Sequence, residues 1–401
     1  MNKIDARRAR IGVFGFFVLS GFVMGLWAAG LPSLNERLDL GPGRLGSVLL
    51  LVSGGALVSM LAAGPLVDRF SSRVVCWFAG PVSALALLGP ALAPGYGALA
   101  ALAVLFGLAL GVVEVAMNAH SVEVERRYGR PIISAFHGTW SLGGAAAGAL
   151  TALALGAGAD AQVLLVAGAV VVPLLFVPAS RLLLKDPPAQ PGPESGGDRP
   201  AGAVGWWLLG LLGLAAFAGH LAEGAAIDWA ALHARWILDA DPAAAPLAYT
   251  VFAVAMTTVR LLGDPIRARL GSERTIRLAG LLATCGYALV LVSPAAGALA
   301  TVCAWTGWAL AGVGLATVVP VIFSAVGAAG GPVGKALALV TACGYTGLLA
   351  GPAIVGYVAE SFSLPVALIV PGVLSAVVAL AGAPSVRALT RKNPAPVPVA
   401  D

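Results

Sequence analysis

Charged residues are scarce in this chain. Asp, Glu, Lys and Arg make up 11% of its 401 residues, where soluble domains carry about 25%. The deficit runs along nearly the whole length, which excludes a soluble domain with a single anchor. Cysteine and histidine number four each. Cys76, Cys285, Cys303 and Cys343 stand singly inside apolar stretches. None has the paired spacing of a zinc or redox site, so they read as small packing residues and no metal or other cofactor is expected. The chain has no glycine-rich phosphate loop, no HExxH and no GxSxG. ATP-driven pumping is thereby unsupported, and no enzyme chemistry is expected.

What is abundant is apolar sequence, 59% of all residues. A bilayer span needs about 20 apolar residues, and only helices or closed barrels can cross. The apolar runs here are continuous rather than alternating, so they predict helices. Twelve spans follow, at 11–34, 45–67, 74–92, 98–122, 131–155, 162–184, 204–232, 245–266, 276–291, 298–326, 333–359 and 366–389. The basic start followed by the first run mimics a signal peptide. That run is long enough to span and has no convincing cleavage site, so it reads as the first helix.

The net charge of +5 does not point to nucleic acid. If the N-terminus is cytoplasmic, every Lys and Arg except Arg37, Arg44, Arg235 and Arg260 falls on the cytoplasmic side, the positive-inside bias of a membrane protein. The predicted organisation is a cytoplasmic tail (1–10), a six-helix half (11–184), a Pro- and Gly-rich cytoplasmic linker (185–202), a second six-helix half (203–390) and a disordered cytoplasmic tail (391–401). Such a linker buries nothing and reads as a flexible connector. The expected setting is the cytoplasmic membrane of a bacterium, with the lipid bilayer as partner.

One segment repeats. Gly64-Pro-Leu-Val-Asp68-Arg69-Phe-Ser-Ser-Arg73 closes the second span, and Gly263-Asp264-Pro-Ile-Arg-Ala-Arg269 closes the eighth. Repeated halves around a midplane site are the architecture of many secondary transporters. The first copy resembles the loop motif of the major facilitator superfamily, with Ser71-Ser72 where Gly-Arg is usual. The resemblance implies an all-α fold of twelve helices in two pseudo-symmetric halves, transport by alternating access, and usually a monomer. It also implies that Gly64, Asp68, Arg69 and Arg73, with Asp264 and Arg269 as the weaker copy, latch the outward-facing state.

Glu114-Val-Ala-Met-Asn118 and the GFVMGLWAAGLP run of the first span further resemble the fucose permease group of sugar–proton symporters. An acid that group carries on its first helix falls by alignment at Ala28 here. A closer match, through MNAH, ERRYGRPIISAFHGTWSLGG and EGAAIDW, is to a branch of uncharacterised bacterial permeases near that group.

The fourth span carries an acid inside hydrocarbon. An ionised carboxylate at mid-bilayer costs about 2.5–3.5 kcal/mol on insertion scales, so Glu114 should pair, line a cavity or take a proton. It is the expected proton carrier. Asn118 lies four residues on and so shares a helical face with Glu114. His137 and Trp140 sit at comparable depth on the fifth span, and the expectation is one polar cluster of Glu114, Asn118, His137 and Trp140 in which His137 tunes the acid. On the seventh span His220 and Glu223 share a face and are expected to bind substrate, with a His220–Glu223 contact as the structural alternative. Asp228 lies nearer the outer end and reads as solvated. Trp27 and Tyr345 could stack on a sugar ring.

The function these residues support best is proton-coupled uptake of a small polar solute such as a sugar. The alternatives are a proton-driven exporter of amphiphilic compounds or metabolites and a non-transporting membrane receptor of the same fold.

Overall fold

The computed structural model describes residues 3–128, 132–185, 205–327 and 333–392. Among them every regular element is helical. The first half comprises α1 (Lys3–Leu38), α2 (Gly41–Phe70), α3 (Ser72–Leu85), α4 (Leu88–Leu92), α5 (Tyr96–Tyr128), α6 (Ile133–Gly156) and α7 (Ala161–Leu182). The second comprises α8 (Trp206–Ile237), α9 (Ala245–Leu270), α10 (Ser272–Val292), α11 (Ala300–Leu315), α12 (Val318–Gly327), α13 (Val333–Ser361), α14 (Leu364–Val377) and α15 (Ala383–Lys392). A 3₁₀ segment, Ser293–Leu299, precedes α11, and a π segment, Val378–Gly382, joins α14 to α15.

Ten stretches are long and apolar enough to cross a membrane, one of them the 55-residue run Ser272–Val326. Dividing that run at its 3₁₀ segment and adding α6 gives the twelve crossings that the hydrophobic runs predict. The chain therefore returns to the face of the bundle on which it began, here termed the terminal face; the opposite one is the far face.

Two differences from the sequence reading have physical causes. First, α1 begins at Lys3 rather than near residue 11. Its start, KIDARRAR, is polar but rich in good helix formers, so hydrophobicity marks the lipid boundary and not the helix end. Secondly, the third, tenth and twelfth crossings are broken. The breaks follow prolines. Pro90 and Pro320 lack the N–H that would bond to Ala86 and Ala316, and those alanines are where α3 and α11 stop. Pro384 likewise leaves the carbonyl of Leu380 without its i+4 donor, inside the π segment.

The two halves repeat each other in detail. Asp39 (φ 46°) turns α1 into α2, and Asp239 (φ 50°) turns α8 into α9. Ser71 (φ 75°) and Gly271 (φ 76°) do the same after α2 and α9. Left-handed backbone is unfavourable for L-residues with a Cβ, so its recurrence at matched turns is a strong internal signature. Packing repeats too: α1 lies on α6 as α8 lies on α13, and α2 lies on α5 as α9 lies on α11. Between the halves α6 meets α9, α2 meets α13, and α1 meets α8. These seams position everything that follows.

Candidate functional site

The centre of the bundle is organised by Arg260. It sits ten residues from the terminal-face end of α9, roughly 15 Å along the helix at 1.5 Å per residue. Its Nη1 donates to Ser141 Oγ on α6 at 2.9 Å, and its Nη2 donates to Glu223 Oε1 on α8 at 2.8 Å. Three helices and both halves are thereby tied at mid-depth. Glu223 is only 9% exposed. A carboxylate so placed needs a paired cation with good geometry, and Arg260 supplies it. Beside the bridge α6 and α9 pass closely: a Cβ on Gly138 would stand 2.9 Å from Leu261 Cδ2. His137, one turn before Ser141, lies edge-on to Phe17 with ring centroids 5.1 Å apart. It also lies within electrostatic reach of Arg260 and Glu223.

A second polar group lies on α5, α8 and α13. Asn118 Nδ2 donates to Glu114 Oε1 at 3.0 Å and to the Glu114 carbonyl at 2.8 Å. The neutral amide is the side-chain partner of this acid among the described residues. Tyr345 on α13 is within electrostatic reach of Glu114, and its ring lies 5.9 Å from that of His220, tilted 32°. His220 Nδ1 is 3.0 Å from the Ala216 carbonyl.

The expected single cluster is thus two. Glu114 and Asn118 are together as anticipated, but His137 belongs with Arg260 and Glu223. Trp140 is half-buried against the core. The His220–Glu223 contact, the structural alternative to substrate binding, does not form: Arg260 takes Glu223 and His220 turns to its own helix. Trp27 is fully buried, tilted against Phe106 at 5.5 Å, and offers no free face in this state. Asp228, read as solvated, is buried at 8% exposure: it lies on the side of α8 covered by neighbouring helices, not at the lipid–water boundary. Sequence reading undervalued Arg260 and missed Ser141. The available signal was that Arg260 is a lone base inside an apolar span.

At the far face the halves are closed. Glu360 Oε2 of α13 accepts from the Gly43 N–H of α2 at 3.1 Å, and Ser47 Oγ and Tyr357 Oη lie 2.9 Å apart. Between these contacts the backbones touch: a Cβ on Gly46 would be 2.8 Å from Gly356 Cα. Arg235 Nε donates to Glu36 Oε1 at 2.6 Å. That pair is partly exposed, and exposed pairs contribute about 0–1 kcal/mol. Glu36→Gln is accordingly expected to leave the melting temperature within experimental scatter of wild type, a small effect that thermal unfolding in detergent would check.

At the terminal face no contact between members of the looked-for latch is seen among the described residues. Asp68 and Arg69 are exposed, and the Arg69 guanidinium lies over its neighbour Phe70, 5.3 Å from the ring. A Cβ on Gly64 would meet nothing within 4 Å. Arg73 Nε has no hydrogen-bond partner among the described residues. Arg269 is exposed, and the Asp264 side chain lies outside the described residues. The close approach of the second and eleventh crossings is made at the far face by Gly46 and Gly356, not at Gly64.

Comparison with known proteins places this geometry. The profile of the Major Facilitator Superfamily matches residues 13–332. An uncharacterised MFS-type transporter of Yersinia pestis is 34% identical over 377 residues, 94% of each chain. The membrane protein MosC of Rhizobium meliloti is 32% identical over 362 residues, 89% of this chain and 84% of its own. Among solved structures, a mutant of the nucleoside transporter NupG superposes with a TM-score of 0.76 at 15% identity, covering 94% of this chain and 99% of that one. A D-xylose–proton symporter superposes at 0.71 with 14% identity, over 94% and 97%. At those identities the likeness is one of fold.

Proposed function

The chain belongs to the major facilitator superfamily, a family of multi-pass membrane transporters rather than enzymes, and from that premise we propose that it takes up a small, uncharged polar solute together with protons. The terminal face is cytoplasmic in this reading, as the distribution of Lys and Arg favours. The membrane is the bacterial cytoplasmic one, and the chain works as a monomer. On this reading the far face, sealed by α2 against α13, is the periplasmic side, and the state is the one that would open toward the cytoplasm.

The observation that carries the reading is Glu114. It is an acid within a crossing helix whose described side-chain partner is a neutral amide, and such an acid is a functional group by default. Proton exchange at Glu114 couples the gradient to the solute, with Asn118 presenting its amide to both. The solute is uncharged because Arg260 and Glu223 satisfy each other, leaving no free fixed charge beside the acid. His220 and Tyr345 offer ring faces from the opposite half. Sugars and nucleosides combine such faces with hydroxyl groups, and the named substrates of two fold neighbours are of this kind.

The test is uptake into proteoliposomes under an imposed pH gradient, with radiolabelled pentoses, hexoses and nucleosides as probes. Accumulation should follow the gradient and collapse with a protonophore. Glu114→Gln should abolish accumulation yet keep solute counterflow. A wild type whose uptake ignores the gradient, or a Glu114→Gln protein that still accumulates solute, overturns proton coupling through Glu114. Binding of lipophilic compounds alone would favour the exporter, and binding without counterflow the receptor.

A further inference from the structure

Asp228 is the acid that the proposed cycle does not use. It lies on α8, nine residues from the far-face end and five beyond Glu223, at 8% exposure. Among the described residues it makes no hydrogen bond and no ion pair. The following described charged groups, on α8 and on helices packed against it, are engaged elsewhere. Arg260 of α9 holds Glu223 and Ser141. Arg235, further along α8, holds Glu36 of α1. Glu360 of α13 is bonded to the backbone of α2. Tyr249 of α9 lies within electrostatic reach of it, and packs with its hydroxyl against Gly144. On α13 Tyr345 lies beside His220 and Tyr357 beside Ser47. The helices α11, α12 and α14 bring no charged residue.

A second observation lies on the same stretch. Trp229 Nε1 and His233 Nδ1, on α8, and Trp308 Nε1, against His233, are buried and have no hydrogen-bond partner among the described residues. Buried polar groups are partnered in more than nine cases in ten. Here three go without a protein partner on one stretch beside Asp228. The seal that shuts this stretch from the far face is the α2–α13 and Glu36–Arg235 closure, which alternating access must break.

We propose that Asp228 is a second proton-exchange site, loaded from the far face when that seal opens and held as the neutral acid while it is shut. This deepens the reading of proton-coupled transport and rests on it. Burial without a cation leaves neutralisation by a proton as the way to avoid the cost of a bare carboxylate. Opening of the seal brings water to Asp228 and lets the proton exchange. Glu114 and Asp228 thus meet the two faces in turn: α5 carries the acid that answers to the terminal face, and α8 the one that answers to the far face.

Infrared difference spectroscopy of the purified protein in lipid nanodiscs tests this without any substrate. The protonated-carboxyl stretch at neutral pH should contain a component lost in Asp228→Asn and displaced, not lost, in Asp228→Glu. On transfer to D₂O that component should shift slowly in wild type and at least tenfold faster in Gly46→Leu, where the seal is forced open. A spectrum unchanged by Asp228→Asn overturns the proposal, as does a component that exchanges equally fast in both proteins. Loss of carboxyl signal in Glu114→Gln but not in Asp228→Asn would sink this inference and spare the role of Glu114. The converse would spare Asp228 alone. If Asp228→Asn does not fold, Asp228→Glu and the exchange rate in Gly46→Leu still decide it.

Discussion

Arg260→Ala is expected to destabilise the protein by about 3–5 kcal/mol and to end transport. Breaking a buried ion pair by removing one partner costs that much because the other charge stays buried and uncompensated. Here the stranded group is Glu223, 9% exposed, with Ser141 losing its bond as well. The prediction has an internal control. Adding Glu223→Gln to Arg260→Ala removes the stranded charge, so most of the lost stability should return. Transport should not return, since the tie between α6, α8 and α9 remains cut. Thermal unfolding of the two single variants and the double variant in one detergent measures this. A double variant no more stable than Arg260→Ala would show that the pair does not hold the centre together.

Gly46→Leu should act on conformation instead. The side chain would be driven into the backbone of α13 at Gly356. Overpacking costs about 1–3 kcal/mol, and the strain falls only on the state in which α2 and α13 touch. A cost of that size, confined to one of two states, shifts their ratio by about 5- to 150-fold. Spin labels at Ala159 and Leu299, exposed at the far face on opposite halves, should report a longer distance, in a background with the four native cysteines replaced. Gly356→Leu should do the same, and the pair together should add little, because both remove one contact. Unchanged distances in both variants would mean that the seal is held elsewhere along the seams.

How much of this was legible beforehand differs by level. The twelve crossings follow from run length and composition, because hydrocarbon imposes a simple requirement on every one of them. Their ends and breaks were harder. The polar start of α1 is helical without being apolar, and the interruptions near Pro90, Pro320 and Pro384 depend on which carbonyl each proline leaves unpaired. Within the site, Glu114 and Asn118 were legible because they are four residues apart on one helix. The Arg260 bridge was not, because its partners stand 37 and 119 residues away and nothing local in the chain announces that they meet. The sealing glycines were hidden for another reason. Gly46 and Gly356 are two among 52 glycines, and a single sequence does not rank them.

The bare contact between Gly46 and Gly356 carries one more consequence. Two backbones that meet without side chains between them attract chiefly by dispersion, which is short-ranged. A gap of about 0.5–1 Å forfeits a quarter to a half of that attraction. Long side chains could stretch and follow a parting helix; glycines cannot. The glycine contact therefore has no half-open setting with partial cohesion, and once it parts only the bonds of Glu360, Tyr357 and Arg235 can follow. Those few side-chain bonds would then set how far the halves can part before the seal is lost.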